Sequence, residues 1–109
     1  MPKADKLQGS LDLLILKVLS RRPNIHGYAI ISAVREISVE VLQIEDGSLY
    51  PALNRMLVKG WLKAEWGISD NNRKARLYRL TPEGRKQLEK ESNAFNKMIR
   101  AIRLVMRTS

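Results

Sequence analysis

The C-terminal segment constrains the fold most strongly, because it reads as one long helix with a sparse apolar seam. Thr81, Pro82 and Glu83 form a typical helix start, and the helix is predicted to run to about Met106. The residues of the seam recur at a spacing of seven: Leu88, Phe95 and Ile102 on one line, Met98 and Val105 on another, with Glu91 as a polar break. A heptad seam of this kind packs against another helix.

A chain of 109 residues is too small to cover such a seam by itself. A domain of this size buries only about two-thirds of its unfolded surface, so its core is modest. We therefore expect a second copy of the chain to pack against the last helix.

Three shorter helices are predicted before that segment, over residues 10–20, 28–37 and 48–59. Ser10 and Ser48 are candidate N-caps, and position 46 is an alternative start for the third helix. A β-rich piece over residues 39–44 is expected to join the second helix to the third. The predicted inward residues of these two helices are Ile30, Ala33, Val34 and Ile37, then Leu49, Leu53, Met56 and Leu57.

The first helix has apolar residues on two sides. Its main stripe consists of Leu11, Leu14, Ile15, Val18 and Leu19. Leu13 and Leu16 lie off that stripe, so we expect them to face a second subunit. Asp12 is expected to lie in the first turn, where the helix dipole favours an acid.

Two short strands follow the third helix, which Gly60 terminates. Leu62, Ala64 and Trp66 alternate with polar residues, and a second strand is predicted over 75–80 after a polar turn over 69–74. Trp61 and Trp66 are expected to pack in the core and against the hairpin. The fold class is therefore mainly α with a small β-hairpin: a winged helix-turn-helix over residues 1–81 and a dimerisation helix over 82–109, in one compact unit.

The chain is strongly basic. Lys and Arg number 20 against 11 Asp and Glu, which gives a formal net charge of +9. A domain this basic tends to bind polyanions, and nucleic acid is the leading candidate, although such charge can also serve solubility alone.

The composition argues against an enzyme and against a metal or other cofactor. There is no Cys and a single His, so thiolate sites, the common zinc sites and Cys-His or Ser-His catalytic pairs lack their parts. No paired carboxylates or phosphate-binding loop stand out. His26 precedes a glycine at a turn, so a structural or phosphate-contacting role is expected for it.

A cytoplasmic protein without a membrane partner is expected. The polar N-terminus does not resemble a signal peptide, and the longest apolar run, residues 13–16, is far too short to span a bilayer.

The residues that point to DNA lie on the third helix and the hairpin. In a helix-turn-helix the second helix of the pair enters the major groove. Its predicted outward residues are Ser48, Tyr50, Pro51, Asn54, Arg55 and Lys59, whose polar members suit base and phosphate contacts. Arg73, Lys74 and Arg76 near the hairpin tip suit phosphates or the minor groove. The alternatives are solvated faces and, for Tyr50, a ring tucked into the core.

Four motifs in order resemble those of the PadR family of regulators. They read QGSLDLLIL at residues 8–16, HGY at 26–28, GSLYPAL at 47–53 and YRLTPEG at 78–84. The resemblance covers nearly the whole chain, and the single C-terminal helix is similar to the short-tailed branch of the family.

That resemblance implies a homodimer, usually a repressor, built through the last helix with help from the first. It also implies DNA contacts from the second helix, the third helix and the wing, and it places Tyr28, Ser48 and Tyr50 at DNA-contacting positions. The interface residues expected on this basis are Leu13, Leu16, Leu88, Phe95, Met98, Ile102 and Val105. Some relatives bind phenolic or drug-like effectors near that interface. The last helix here has no Trp, so Phe95 is interpreted as packing and any effector stays unknown.

The leading hypothesis is therefore a dimer that binds double-stranded DNA at a palindromic operator. A protein-interaction module that uses the basic face to bind an acidic partner is the alternative.

Overall fold

Within residues 2–69 and 71–108, which the computed structural model describes with side chains from residue 10 onward, four helices and one hairpin follow one another. The elements are α1 (Pro2–Arg21), α2 (Gly27–Ile37), α3 (Asp46–Val58), β1 (Leu62–Ile68), β2 (Lys74–Leu80) and α4 (Pro82–Met106). The mainly helical fold with a small hairpin and a long last helix is confirmed. Asp70 of the predicted turn and both terminal residues lie outside the described residues.

The core lies where α1, α2 and α3 meet the base of the hairpin. Its most deeply buried side chains are Leu11, Ile15, Leu16, Leu19, Ile30, Leu49, Leu53 and Met56. Leu16 was expected at a subunit interface, and this was wrong: its side chain is fully buried within its own subunit and has no surface left for a partner.

The predicted start of the first helix was too late, and for the third helix the alternative start at position 46 is confirmed. α1 begins at Pro2, so Ser10 lies inside the helix and does not cap it. α3 begins at Asp46 after Glu45, whose side chain makes no capping hydrogen bond, so Ser48 is not the cap either. Pro51 therefore lies beyond the first turn of α3, where its missing N–H leaves the carbonyl of Gly47 without its helical donor.

The connection between α2 and α3 is a turn, and the β-rich piece predicted there was wrong. Val39 and Glu40 have positive φ angles of 53° and 65°, which no strand contains. The Ser38 hydroxyl accepts a hydrogen bond from the N–H of Leu42 at 2.9 Å and closes the turn. Ile37 is 61% exposed, because it lies in the last position of α2 beyond the core, and Ile31 is buried instead.

The hairpin pairs antiparallel, with Leu62 opposite Leu80 and Ile68 opposite Lys74. A further backbone pairing, which the sequence pattern did not predict, ties β2 to the connection between α1 and α2. The N–H of Tyr78 donates to the carbonyl of Ile25 at 2.9 Å, and the N–H of Asn24 donates to the carbonyl of Tyr78 at 2.9 Å. This pairing fixes the wing relative to α2.

α4 starts where the sequence predicted and is anchored to the base of the hairpin. The Thr81 hydroxyl accepts from the N–H of Gly84 at 3.0 Å and donates to the carbonyl of Gly60 at 2.6 Å. A Cβ at Gly84 would overlap the carbonyl oxygen of Trp61, so only glycine allows this approach. No helix in the described part of the chain is both long enough and apolar enough to cross a membrane.

Candidate nucleic-acid interface

The N-terminus of α2 is capped by the only histidine of the chain. His26 has an extended backbone, and its Nδ1 accepts a hydrogen bond from the N–H of Ala29 at 3.2 Å. The structural role predicted for it is confirmed. Tyr28, in the first turn of α2, is exposed, and the positive end of the helix dipole beside it favours a phosphate.

Tyr50 of α3 contacts the start of α2. A Cβ at Gly27 would lie 2.7 Å from the Tyr50 hydroxyl oxygen, so the ring packs directly against this glycine. The side chain nevertheless remains 44% exposed. Tyr50 therefore combines the two alternatives left open by the sequence: one side of it packs on α2, and the rest is accessible at the surface.

Tyr78 of β2 completes this contact between the elements. Burial raises the pKa of the Tyr78 hydroxyl above its ordinary value, the positive charge of Arg76 opposes this shift, and Tyr50 reinforces it. The Arg76 guanidinium lies 5.9 Å from the centre of the Tyr78 ring. The first turn of α2, the first half of α3 and the inner half of β2 thus meet, and the surface beside this contact presents Tyr28, Tyr50 and Arg76.

The other predicted residues of α3 differ in their exposure. Pro51, Asn54 and Lys59 are exposed, whereas Ser48 is half-buried. Lys59 lies at the C-terminal end of the helix, and its Nζ is 4.8 Å from the centre of the Trp61 ring. Asn54 is therefore the exposed side chain of this set best suited to hydrogen-bond a base edge.

Arg55, which was predicted to face outward, is paired with an acid while its side chain remains 36% exposed. Its guanidinium Nη2 forms a hydrogen-bonded ion pair with the Asp12 carboxylate at 2.5 Å. Asp12 lies in the middle of α1 and not in a first turn, because the helix begins earlier than predicted. The pair joins α1 to α3, so Arg55 contributes to holding α3 in place.

The wing has three cations near its tip, as predicted. Arg73, Lys74 and Arg76 are all exposed. The Lys74 Nζ lies 5.2 Å from the centre of the Trp66 ring. Trp66 was expected to be packed, and this was wrong: it is 65% exposed, because it lies on the part of the hairpin that extends past the core.

The seam of α4 splits into two parts. Leu88 is half-buried and packs against the core of its own subunit. Phe95, Met98, Ile102 and Val105 are exposed.

Two neighbouring grooves run along α1. The first, about 720 Å³ in volume, lies between α1 and α4, and its lining includes Leu13, Leu14, Leu42 and Phe95. The second, about 560 Å³, lies between α1 and the end of α2, and Leu14, Lys17 and Leu42 line it as well. The shared residues make the two grooves continuous.

Exposed apolar residues at the end of α2 were missed at the sequence level. Ile37 and Leu42 line the second groove, and Val39 and Val41 lie in the same turn with high exposure. The alternating Val39-Val41 pattern was interpreted as a strand. The apolar character of these residues could have indicated an exposed apolar surface that another chain covers. Among the described residues, no cluster of acidic or histidine side chains could hold a metal ion.

Comparisons with known proteins agree with this architecture. The family described as "Transcriptional regulator PadR-like family" matches residues 15–90. A transcriptional regulator of Mycobacterium tuberculosis is 34% identical over 68 residues, which is 62% of this chain. The chain spans 63% of the length of that protein.

Solved structures resemble nearly the whole chain. A transcriptional regulator from Clostridium thermocellum superposes with a TM-score of 0.81 at 27% identity, over 91% of this chain and 95% of that one. A PadR family transcriptional regulator from Eggerthella lenta superposes with a TM-score of 0.80 at 25% identity, over 99% of this chain and 92% of that one.

Proposed function

The chain belongs to the PadR-like family of transcriptional regulators, and from that premise we propose that it binds DNA and represses transcription as a homodimer on a palindromic operator. The observation that carries this proposal is the meeting of α2, α3 and β2 at one basic surface. Tyr50 contacts Gly27 and lies beside Tyr78, so the three elements hold a fixed relation to one another. Fixed geometry is what sequence-specific reading of a groove requires.

On this surface each residue type has a distinct role. Asn54 and Tyr50 lie on α3 where they would contact base edges, with Pro51 and Ser48 beside them. Tyr28 and the start of α2 would contact a phosphate. Arg73, Lys74 and Arg76 would neutralise phosphates flanking the site, and Lys59 would do the same at the far end of α3.

The dimer is supported by the exposed seam of α4. A helix of 25 residues is about 37 Å long, and only its first part contacts the core of its own subunit. We assign the exposed part, with Phe95, Met98, Ile102 and Val105, to the α4 of a second copy and to the grooves along α1. Leu13 and the missed residues Ile37 and Leu42 belong to the same face.

A two-fold dimer would present two α3 helices to successive major grooves, about 34 Å apart. Such a complex covers the duplex over more than one helical turn, so it would compete with polymerase wherever the operator overlaps a promoter. The cytoplasm is where such an operator would be found.

The proposal is tested by selecting bound sequences from a random duplex pool and measuring the affinity of the protein for the consensus. We expect a two-fold symmetric consensus, an affinity that falls steeply with salt, and repression of in vitro transcription when the site overlaps a promoter. Tyr50→Phe, which keeps the ring on Gly27, should weaken operator binding about fivefold without changing thermal stability.

The matched control is Lys63→Ala, which removes an exposed cation of β1 outside the proposed surface. It should leave the affinity for the consensus unchanged. An asymmetric consensus, or competition by scrambled duplex as effective as by the consensus, would contradict the proposal and favour a partner recognised by charge alone.

A further inference from the structure

The face of the hairpin that covers the core near its base continues past the core without a partner. Leu62 pairs with Leu80 and Ala64 with Tyr78 on this face, and these residues are buried or half-buried. One step outward on the same face Trp66 pairs with Arg76, and Ile68 pairs with Lys74. Trp66 and Ile68 are 65% and 63% exposed.

The opposite face of the hairpin packs on itself. A Cβ at Gly67 would lie 2.5 Å from Cδ1 of Leu77, so the leucine side chain lies over the glycine and is half-buried there. Trp66 has no comparable cover within the described chain. On one face of the wing Leu77 is therefore held against Gly67, whereas on the other face Trp66 and Ile68 are left open.

Two cations lie along one side of the open face. Lys74 and Arg76 are both exposed, and they lie two positions apart on β2, about 6.6 Å along the strand. The Lys74 ammonium is held over the Trp66 ring at 5.2 Å. Two apolar side chains on β1 beside two cations on β2 match a surface on which apolar groups lie next to negative ones.

We propose that Trp66 and Ile68 pack against deoxyribose in the wall of the minor groove, while Lys74 and Arg76, side by side on β2, bind the adjacent phosphates of the same backbone. The inference rests on the proposed DNA-binding function. It adds an apolar contact to the wing, for which the sequence analysis predicted only contacts from charged residues. Sugar rings present apolar C–H groups between the phosphates, so a Trp ring can bury area there without reading sequence.

Tryptophan fluorescence can test this proposal, because the chain contains two Trp residues and one of them can be replaced. Trp61→Phe leaves Trp66 as the single Trp emitter. Trp61 is half-buried and has a Lys over its own ring, so this substitution is also a matched control for an aromatic–cation pair outside the patch. The probe is a duplex of about 30 base pairs, about three helical turns, carrying the selected consensus, with a scrambled duplex of equal length beside it.

In the Trp61→Phe protein, adding either duplex should shift the Trp66 emission to the blue and reduce its quenching by acrylamide. Trp66→Ala should weaken binding to both duplexes about tenfold, which corresponds to burial of a modest apolar area. Because no charge is removed, the slope of log affinity against log salt should stay as in the unmodified protein, whereas Lys74→Ala and Arg76→Ala should each reduce it.

The possible outcomes distinguish failure of this inference from failure of the proposed DNA-binding function. The inference would be overturned if Trp66→Ala bound DNA with wild-type affinity and if DNA left the acrylamide quenching of Trp66 in the Trp61→Phe protein unchanged. The proposed function would then still stand. Failure of the unmodified protein to bind either duplex would overturn the proposed function itself. Protection of Trp66 that grows with protein concentration in the absence of DNA would show a second copy on the patch and would also overturn the inference. Far-ultraviolet circular dichroism of each variant checks that it is folded.

Discussion

The body of the molecule and the outer half of α4 use apolar residues in opposite ways. Between α1 and the base of the hairpin, apolar side chains such as Leu53 and Met56 are fully buried within one subunit. Along α4, Ile102 and Val105 repeat with equal regularity but remain exposed. The body therefore satisfies its apolar residues within one subunit, whereas the outer half of α4 presents an apolar surface suited to a second chain.

The largest effect is expected from a variant that disrupts the exposed seam of α4 and leaves the body of the molecule folded. The double variant Phe95→Glu/Ile102→Glu places two charges in the seam, so it should be monomeric in sedimentation equilibrium. Because a dimer engages two half-sites at once, the affinity for a palindromic operator should fall at least about a hundredfold. The helical circular dichroism of the body should persist.

The control for that variant is Arg100→Glu, which also changes the charge by two units but lies on the opposite side of α4 by helical spacing. It should remain dimeric. A monomeric Arg100→Glu protein, or a dimeric seam variant, would refute the assignment of the seam to a subunit interface.

The second prediction concerns the joint between the two regions. Gly84→Ala places a methyl group where it overlaps the Trp61 carbonyl, so α4 must shift from the hairpin base and the free energy of unfolding should fall by about 3 kcal/mol. Gly47→Ala, in α3 with open space around its Cβ position, should instead stabilise by about 0.5–1 kcal/mol. Urea denaturation of both variants measures the difference, and equal destabilisation would mean that the joint is not tight.

The third prediction concerns how much the Asp12–Arg55 pair stabilises the body of the molecule. Removing either member of the Asp12–Arg55 pair by substitution with Ala should cost about 1–2 kcal/mol, since the Asp12 side chain is largely shielded from water. A double-mutant cycle should show a coupling of about 1 kcal/mol. The exposed pair Glu65–Arg79, at 3.3 Å, is the reference and should show about 0.5 kcal/mol or less. Equal coupling energies for the two pairs would mean that Arg55 behaves as an ordinary exposed cation.

The smallest expected effect is a pH dependence in the body. Because burial raises the pKa of Tyr78 in the folded state, its contribution to stability is fully present below the unfolded-state pKa of about 10. That contribution is lost as the pH rises from there through the folded-state pKa. Tyr78→Phe keeps the ring and removes the titration, so its free energy of unfolding should fall less steeply above about pH 10. Identical slopes would show that the hydroxyl is not shielded by the fold.

Most elements of the fold were predictable because they are encoded by local signals. Thr81 and Pro82 start α4, Gly60 with its φ of 81° ends the helical region before the hairpin, and alternation marks β1. These signals act within a few residues, so a linear pattern contains them. The exposed residues Asn54, Arg73 and Lys74 were also identified correctly as exposed, because a polar side chain outside an apolar stripe faces water.

The errors arose where a distant residue decides the outcome. Arg55 has the periodicity of an outward residue, yet Asp12, 43 positions earlier, takes up its charge. Leu16 lies off the main stripe of α1, but α1 is surrounded by other elements on more than one side and buries it. Trp66 alternates in phase with Leu62, and only the extent of the core shows that the hairpin projects past it.

The amino-acid sequence by itself determined the order of helices and strands, the basic character of the surface and the presence of an apolar seam, because periodicity, capping and charge are properties of neighbouring residues. The tertiary structure decided the surroundings of these residues: it paired Arg55 with Asp12, buried Leu16, exposed Trp66 and brought Gly27, Tyr50 and Tyr78 together. The physical reason is that burial and contact depend on what lies opposite in space, and a linear pattern contains only what lies adjacent along the chain.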